Sequence, residues 1–447
     1  MKRQRTRRDF LRDTTLVGFG FWVAGGLALA ESRSANERLN IACVGVGGKG
    51  SSDTDQAGKH GYIVALCDID ETHLNDKARN FPHAARYTDF RQMLERKDIE
   101  AVVVSTPDHT HAAASLMAMR LGKHVYCQKP LTHTVYEARL MRETAAKYKV
   151  ATQMGNQGTA ENGLRRAVEI IQDGVIGPVR EAHVWTNRPI WPQAPGITAR
   201  PKETPGVPTH VHWYEFLGPS PDRPYHPAYH PFAWRGWWDF GTGALGDMAC
   251  HTANMAFMAL KLGYPTTVYA ESGEINPETY PAWAIVHYEF PEREGMPPVK
   301  LTWYEGKQND QKVLPPAELT KGLKMSDSGS LLVGDKGILF SPNDYGAEYK
   351  LLPEKDFKEY KGPSERLPRN GKGDEGMKIE WIAACKGGPP AMSNFGYAGL
   401  LTETILLGNV AMRVGKKLEW DGPSMKVTNC PEAEQYIKPE FRKGWDL

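Results

Sequence analysis

A carboxylate and an imidazole stand four residues apart in the run WRGWWDFGTGALGDMACHTANMAFMAL at residues 234–260. From about Ala244 the apolar residues recur with helical spacing, so Asp247 and His251 fall on one face of a predicted helix. On such a face the carboxylate can orient the imidazole and favour its protonated form, which suits a general base. A capping aspartate beside a buried structural histidine would give the same pattern, so spacing alone leaves both interpretations open.

A lysine provides a third group for proton chemistry. Lys129 lies in the sequence QKP at 128–130, at the end of a short apolar run that is typical of a strand. In parallel α/β sheets ligands bind beyond the carboxyl ends of the strands, where this ammonium group could reach a substrate hydroxyl. A lysine at a strand end is otherwise usually solvated, so its role depends on the elements around it.

The elements that would carry these groups alternate between strands and helices from residue 38 onward. Five short apolar runs are typical of buried parallel strands: RLNIACVGVG, YIVALCDID, IEAVVVSTP, KHVYCQKP and VATQMGNQ. Helix-like stretches such as HAAASLMAMRLG separate them. The alternation predicts an α/β fold with a doubly wound parallel sheet over residues 36–157.

The first strand-to-helix turn has the sequence GVGGKG, in which Gly45, Gly47 and Gly50 fit G-x-G-x-x-G. Glycines at these positions let backbone amides approach a pyrophosphate at the positive end of a helix. Asp68 ends the second strand, 18 residues past Gly50. A carboxylate there accepts the ribose hydroxyls of NAD and repels the extra phosphate of NADP. These features predict a Rossmann domain that binds NAD, with NADP less favoured.

The pattern changes beyond residue 157. Residues 158–447 contain β-branched and aromatic runs that are typical of a mostly antiparallel sheet with one covered face: TTVYAESG, AWAIVHYEF, VKLTWYEG and GSLLVGDKGILF. A long helical stretch, GYAGLLTETILLGNVAMRVGKK, follows near the end. The second domain is therefore predicted to be an α/β domain built on an open sheet.

The order of these motifs resembles the Gfo/Idh/MocA oxidoreductases over nearly all of the chain after residue 36. The shared features are G-x-G-x-x-G, an acidic end to strand two, STPDHTHAA, a Lys-Pro pair and G-D-x-x-x-H. The resemblance implies that Lys129, Asp247 and His251 serve the chemistry of an NAD-dependent oxidoreductase. It also implies an open-sheet domain that often mediates homo-oligomers.

Further site residues follow from the same resemblance. The residues expected along the nucleotide are Ser105, Thr106, Pro107 and His111, and those expected on its nicotinamide side are Asn156 and Gln157. The chain departs from the family at Gln128, where a glutamate usually precedes the lysine. Losing that negative charge lowers the preference of Lys129 for its charged form, but the lysine itself is retained.

A stretch rich in proline, histidine and aromatic residues runs from Ile190 to about Asp239. Aromatic faces beside polar groups suit a sugar or another polyol as the substrate. The predicted substrate residues in and next to this stretch are Trp185, Arg188, His212, Trp213, Trp234 and Arg235. A metal site is an alternative use of the stretch, but the spacing of its histidines at 210, 212, 226 and 230 matches no standard motif, so no metal is predicted.

Residues 1–30 are predicted to be a twin-arginine export signal. The sequence TRRDFLR at 6–12 precedes a short apolar run that ends in Ala28-Leu29-Ala30. An uncleaved anchor is the alternative, but the run is shorter than the roughly 20 residues of a spanning helix. The whole chain has a net charge of +2, and residues 1–30 carry six basic and two acidic side chains, which leaves the rest near −2. That balance indicates neither a nucleic-acid partner nor a membrane partner after cleavage.

Export of a folded protein would place this enzyme in the periplasm with its NAD already bound. A trapped cofactor must return to its starting state within the enzyme's own cycle. One such cycle oxidises a sugar and reduces a second carbonyl compound. Another oxidises a glycoside hydroxyl transiently, eliminates the aglycone and returns the hydride, which would make the protein an NAD-dependent glycoside hydrolase. A non-catalytic binding protein that kept the fold is a third hypothesis.

Overall fold

The computed structural model describes residues 38–447. The predicted signal peptide at residues 1–30 lies outside these residues, and the export prediction stays a prediction.

The first part of the chain forms a six-stranded sheet in the order β3-β2-β1-β4-β5-β6. Every neighbouring pair is parallel. The central strands are buried on both faces, which explains their unbroken apolar sequences; all four residues of AVVV in β4 are buried. The strands are β1 Leu39–Val44, β2 Gly61–Cys67, β3 Ala85–Tyr87, β4 Ala101–Val104, β5 His124–Cys127 and β6 Thr152–Met154. The predicted doubly wound α/β fold is confirmed.

Helices connect these strands, and three of the five begin at polar caps. Asp70 caps the second helix by accepting a hydrogen bond from the amide of Thr72. Thr134 and Glu137 form a capping box at the start of the fifth helix. The five helices are α1 Gly48–His60, α2 Glu71–Ala78, α3 Phe90–Leu94, α4 Asp108–Arg120 and α5 Val135–Tyr148.

The second part forms a ten-stranded sheet in the order β14-β13-β12-β7-β10-β9-β8-β15-β16, with β11 paired to β10. Its strands are β7 Val179–Trp185, β8 Thr267–Ser272, β9 Trp283–Phe290, β10 Val299–Gln308, β11 Gln311–Lys312, β12 Gly329–Gly334, β13 Ile338–Ser341, β14 Lys350–Leu352, β15 Leu418–Asp421 and β16 Lys426–Val427. The neighbouring strands are antiparallel except β7 and β10. In β9 buried and half-buried residues alternate, so one face is covered by the core, as the sequence predicts.

The second part of the chain, residues 158–447, forms seven α-helices. They are α6 Asn162–Gln172, α7 Trp213–Leu217, α8 Gly243–Thr252, α9 Asn254–Ala259, α10 Gly373–Cys385, α11 Phe395–Val414 and α12 Glu434–Ile437. The 20-residue helix α11 is buried on most sides because it packs against α5, α8 and β8 together. Within residues 38–447, no helix combines the length and apolar character that crossing a membrane requires.

A later helix completes the core around the first sheet. Helix α10 packs on α1 and β6, and its residues Met377 and Trp381 join the same apolar cluster as Tyr126 of β5. Helix α10 of the second part therefore covers part of one face of the parallel sheet.

Candidate active site

The turn between β1 and α1 is a backbone cradle. Gly45 has a φ of +75°, and a Cβ atom on it would lie 2.6 Å from the Ser105 carbonyl oxygen. A Cβ atom on Gly50 would collide with the carbonyl of Gly45. Only glycine fits these two positions, as a turn that cradles a pyrophosphate requires. The turn therefore fits a dinucleotide.

The carboxylate of Asp68 holds this turn in place. Its Oδ2 accepts hydrogen bonds from the amides of Val46 at 2.7 Å and Gly47 at 3.1 Å. Burial raises the pKa of Asp68 above its ordinary value, although the amides that donate to it oppose the change. Gly47 also lies directly against the ring of His73, a neighbour that the sequence analysis did not name. Asp68 thus organises the cradle next to the expected ribose position.

The turn after β4 contains the residues predicted along the nucleotide. Ser105 follows β4 directly, and Thr106 and Pro107 lead into α4. His111 is buried, and its two ring nitrogens lie 2.8 Å from the carbonyl oxygens of Thr106 and Pro130. Both nitrogens face carbonyl oxygens, and the one that carries the proton donates, so His111 braces this turn against the Lys-Pro turn.

Lys129, which is partly buried, and Asp247, which is buried, form an ion pair. The Lys129 Nζ lies 2.5 Å from Asp247 Oδ1 and donates to the Asp247 carbonyl oxygen at 3.2 Å. Arg235 lies 3.2 Å from the same carboxylate and 3.2 Å from Asp108. Burial opposes ionisation of Asp247, but the positive charges of Arg235 and Lys129 outweigh it and hold the pKa of Asp247 below its usual range. The carboxylate is therefore charged and holds two cations.

His251 lies one helical turn further along α8. It is 3 % exposed, and its Nδ1 has no hydrogen-bond partner among residues 38–447. Burial, together with the charge of Lys129, lowers the pKa of His251 well below its ordinary value, and the charge of Asp247 only partly opposes this. The imidazole is therefore neutral near pH 7 and can accept a proton.

Tyr345, which the sequence analysis did not identify, packs against His251. The Tyr345 ring meets the His251 ring edge-on at a centroid distance of 4.9 Å. Its hydroxyl accepts a hydrogen bond from Gln157 Nε2 at 3.2 Å. The turn that carries Tyr345 packs directly on Gly158, where a Cβ atom would lie 2.8 Å from the Tyr345 carbonyl oxygen. Tyr345 follows β13 in a polar segment, and no pattern in that segment signals its role.

The two residues predicted on the nicotinamide side differ in their surroundings. The Asn156 amide donates to the Cys250 carbonyl at 3.1 Å, and its oxygen accepts from Ser393 at 2.6 Å, so it joins β6 to α8. Gln157 Oε1 is buried and has no partner within the described part of the chain. Gln157 therefore keeps an acceptor available to a ligand, whereas Asn156 does not.

The predicted substrate residues divide into two groups. The Arg235 guanidinium stacks on Trp234 at 4.3 Å and on Trp191 at 5.6 Å, next to the ion pair. The Arg188 guanidinium donates to Asn187, and among residues 38–447 it has no hydrogen bond to Lys129, Asp247 or His251.

Trp185, His212 and Trp213 lie elsewhere. Trp185 is fully buried, stacks on Phe340 and donates to the carbonyl of Ser326. It has no surface for a substrate, so its prediction as a substrate residue is corrected. Its strand β7 is covered on that face by a cluster that includes Val313 and Leu331. His212 lies 2.8 Å from Glu71 at the start of α2, and Trp213 stacks on Phe216 in a separate aromatic cluster. Neither contacts Lys129, Asp247 or His251 through a hydrogen bond or ring contact in residues 38–447.

A parallel sheet with a glycine cradle, joined to a second sheet with Asp247 and His251 on one of its helices, is the architecture of two-domain dinucleotide-dependent oxidoreductases. Two models of one family match the chain. The model described as "Oxidoreductase family, NAD-binding Rossmann fold" matches residues 39–156, and the model described as "Oxidoreductase family, C-terminal alpha/beta domain" matches residues 191–299. The chain belongs to the Gfo/Idh/MocA oxidoreductase family, and its cofactor is NAD.

Curated relatives align with part of the chain. A glycosyl hydrolase family 109 protein of Saccharopolyspora erythraea is 30 % identical over 202 residues, which are 39 % of this chain and 44 % of the relative. An inositol 2-dehydrogenase of Gluconacetobacter diazotrophicus is 31 % identical over 150 residues, which are 32 % of this chain and 44 % of the relative. The chain thus spans less than half the length of these relatives.

Solved structures share the fold. The WlbA dehydrogenase of Bordetella pertussis, in complex with NADH and UDP-GlcNAcA, superposes with a TM-score of 0.61 at 15 % identity, over 86 % of this chain and 99 % of its own. An aldose-aldose oxidoreductase of Caulobacter crescentus, complexed with glycerol, superposes with a TM-score of 0.57 at 17 % identity, over 86 % of this chain and 100 % of its own.

Proposed function

We propose that this protein is an NAD-dependent oxidoreductase that moves a hydride between a sugar or polyol carbon and a tightly bound nicotinamide. One observation carries the proposal. The Lys129–Asp247 ion pair and the neutral His251, whose Nδ1 has no hydrogen-bond partner in residues 38–447, lie at the end of the sheet that carries the glycine cradle. General acid–base groups placed at this edge of the sheet suit the oxidation of an alcohol.

The side chains have distinct roles in the proposed reaction. His251 Nδ1 accepts the proton of the substrate hydroxyl as the carbon–oxygen bond becomes a carbonyl. Lys129 uses two of its three N–H groups on Asp247, so the third is free to donate to the developing carbonyl oxygen. Asp247 fixes the direction of Lys129. NAD supplies the hydride acceptor when it is bound.

The polar groups around Tyr345 support a polyhydroxylated substrate. Gln157 Oε1 and Asp344 Oδ1 are buried acceptors without partners among residues 38–447. Buried acceptors are costly unless a donor reaches them, and a ligand with O–H groups would supply such donors. Trp191 and Trp234 add aromatic faces on the Arg235 side. This combination suits a sugar or polyol.

A segment before α7 supports tight retention of NAD. The amide of Glu71 donates to the carbonyl of His210 at 2.9 Å, and the amide of His212 donates to the carbonyl of Ile69 at 2.8 Å. These bonds fix the segment across the β2–α2 turn, next to Asp68 and the expected adenosine position. A covered adenosine slows release of the cofactor. Retained NAD fits the proposed twin-arginine export to the periplasm.

A redox-neutral glycoside hydrolase is the second candidate, because the relatives include glycosyl hydrolase family 109 proteins. Both cycles use the same oxidation step. The products separate them: a keto-sugar indicates net oxidation, whereas a released aglycone without net redox change indicates the hydrolase.

The test is product analysis on a panel of sugars, polyols and aryl glycosides, with wild type, Lys129→Met and His251→Ala. Lys97→Met and His83→Ala are matched controls, because both residues are exposed and distant in sequence from the site. Loss of turnover only in Lys129→Met and His251→Ala supports an enzyme. Unchanged function in both would instead favour a binding protein. The homo-oligomer implied by the family resemblance is tested separately by light scattering.

A further inference from the structure

Gln128, at the position where the family usually has a glutamate, lies beside a buried carboxylate on another element. Gln128 is 4 % exposed, and its Nε2 donates to Asp53 Oδ2 at 2.7 Å. Asp53 lies on α1, directly after the glycine cradle, and is fully buried. The negative charge that is missing from position 128 is therefore present in the adjacent side chain.

Asp53 is ionised in this environment. Lys378 of α10, also fully buried, lies 3.0 Å from Asp53 Oδ1, and Lys49 lies 2.8 Å from the same oxygen. Burial opposes ionisation, but these two cations outweigh it and lower the pKa of Asp53. The Lys378 ammonium also lies 3.3 Å from the centroid of the Tyr126 ring, a favourable cation–π contact.

An ionised Asp53 fixes the orientation of the Gln128 amide. The NH₂ group of Gln128 must face the Asp53 carboxylate. Gln128 Oε1 therefore faces the backbone amide of Lys129, which donates a hydrogen bond to it at 3.3 Å. Gly155 leaves room for the Gln128 side chain, because a Cβ atom at position 155 would lie 2.6 Å from Gln128 Nε2. A glutamate at 128 has no donor for Asp53 unless one of the two carboxyl groups holds a proton.

We propose that Asp53 is a positioning residue for the catalytic lysine: through Gln128 it fixes the turn that carries Lys129, and Lys378 is its buried counter-ion. The catalytic role of Lys129 rests on the proposed function. The position of Lys129 does not, and it can be measured without any substrate.

The experiment exchanges the charged and neutral side chains of positions 53 and 128 and measures the effect at Lys129. Gln128→Glu places two carboxylates together, Asp53→Asn leaves none, and the double variant restores one at the exchanged position. Gln128→Met removes the hydrogen bonds without adding charge. Asp55→Asn is the matched control on the same helix, because Asp55 pairs with Lys77 and is half exposed.

The first readout is the acylation rate of Lys129 by an N-hydroxysuccinimide ester, followed by peptide mass spectrometry, with Lys261 as the internal reference. We expect about tenfold faster acylation in Gln128→Glu and Gln128→Met, because Lys129 is released from Asp247 when its turn loosens. In the double variant the acylation rate of Lys129 returns to within about twofold of the wild-type rate, and in Asp55→Asn it equals the wild-type rate.

The second readout is single-turnover reduction of bound NAD, with KM and the maximal rate measured separately. The maximal rate falls in the single variants and recovers in the double.

Two results would overturn the inference. One is a double variant in which Lys129 is acylated as fast, and NAD is reduced as slowly, as in Gln128→Glu. The other is wild-type acylation of Lys129 in folded Gln128→Glu and Gln128→Met, with only the unfolding temperature changed, since that indicates a purely structural role. If no sugar reduces the cofactor but the acylation pattern holds, the proposed function fails and the positioning inference stands.

Discussion

Replacement of Asp247 by asparagine removes one charge from the centre of the site and leaves the shape of the side chain almost unchanged. In the wild type the carboxylate lies 2.5 Å from Lys129 Nζ and 3.2 Å from Arg235 Nη1. At an effective dielectric constant of about 20, these separations correspond to about 7 and 5 kcal/mol of Coulomb attraction. Desolvation of the three groups cancels much of this, and loss of one partner of a buried ion pair costs about 3–5 kcal/mol.

We therefore expect Asp247→Asn to lower the free energy of unfolding by about 3 kcal/mol, because Asn Oδ1 still accepts a hydrogen bond from Lys129. The substitution also lowers the catalytic rate. The ammonium group loses its fixed direction, and misplaced acid–base groups cost about 100- to 10,000-fold in rate. We expect a decrease of about 100- to 1,000-fold in the rate of substrate-driven NAD reduction, within that range. We expect the NAD content to stay unchanged, because in residues 38–447 the Asp247 carboxylate pairs with Lys129 and Arg235 and not with the glycine cradle.

The assay is stopped-flow reduction of bound NAD by a saturating sugar, with NAD content measured on the same sample. Asp222→Asn is the control, because this aspartate forms an exposed ion pair with Arg442. A variant that keeps more than about a third of the wild-type rate would refute the assignment, since it would put the effect of the charge below 1 kcal/mol.

Three further predictions follow from other positions. The pKa of His251 is lowered, so its neutral form persists below pH 6.5, and the acid limb of the kcat/KM profile should lie below that value; a limb at or above pH 6.5 would contradict the assignment. Burial raises the pKa of Glu305 from 4.5 to about 8, so the folded protein keeps a proton that the unfolded chain releases in this window, and stability falls as pH rises through it. Glu305→Gln should reduce that fall by about 4 kcal/mol between about pH 5 and 8, and an unchanged pH dependence in urea titrations would show the prediction to be wrong. Gly50→Ala should abolish retention of NAD, because the added Cβ atom collides with the Gly45 carbonyl; NAD content by chromatography measures this, and wild-type content would exclude the cradle as the nucleotide site.

Local pattern was sufficient for the fold and for part of the site. The unbroken apolar strands and the glycine turn specify a buried parallel sheet, and the four-residue spacing places Asp247 and His251 on one face of α8. These are short-range properties of the chain.

The remaining features depend on contacts between distant segments. Tyr345 reaches His251 because its turn packs on Gly158, and Asp53 meets Lys378 across 325 positions of sequence. No local signal encodes either contact. Trp185 was misassigned for the same reason: its aromatic ring suits a sugar, but the segment around Val313 covers it.

The central claim is that the protein retains NAD and reduces it with a sugar hydroxyl. The most direct measurement is the absorbance of reduced nicotinamide after sugars and polyols are added to thoroughly desalted protein without added cofactor. We predict stoichiometric reduction of NAD that stayed bound through desalting, and none in His251→Ala. A desalted protein that contains no NAD and requires free NAD for any reduction would contradict retention and the proposed periplasmic role. A protein that holds NAD but reduces it with no hydroxyl compound would contradict the proposed chemistry.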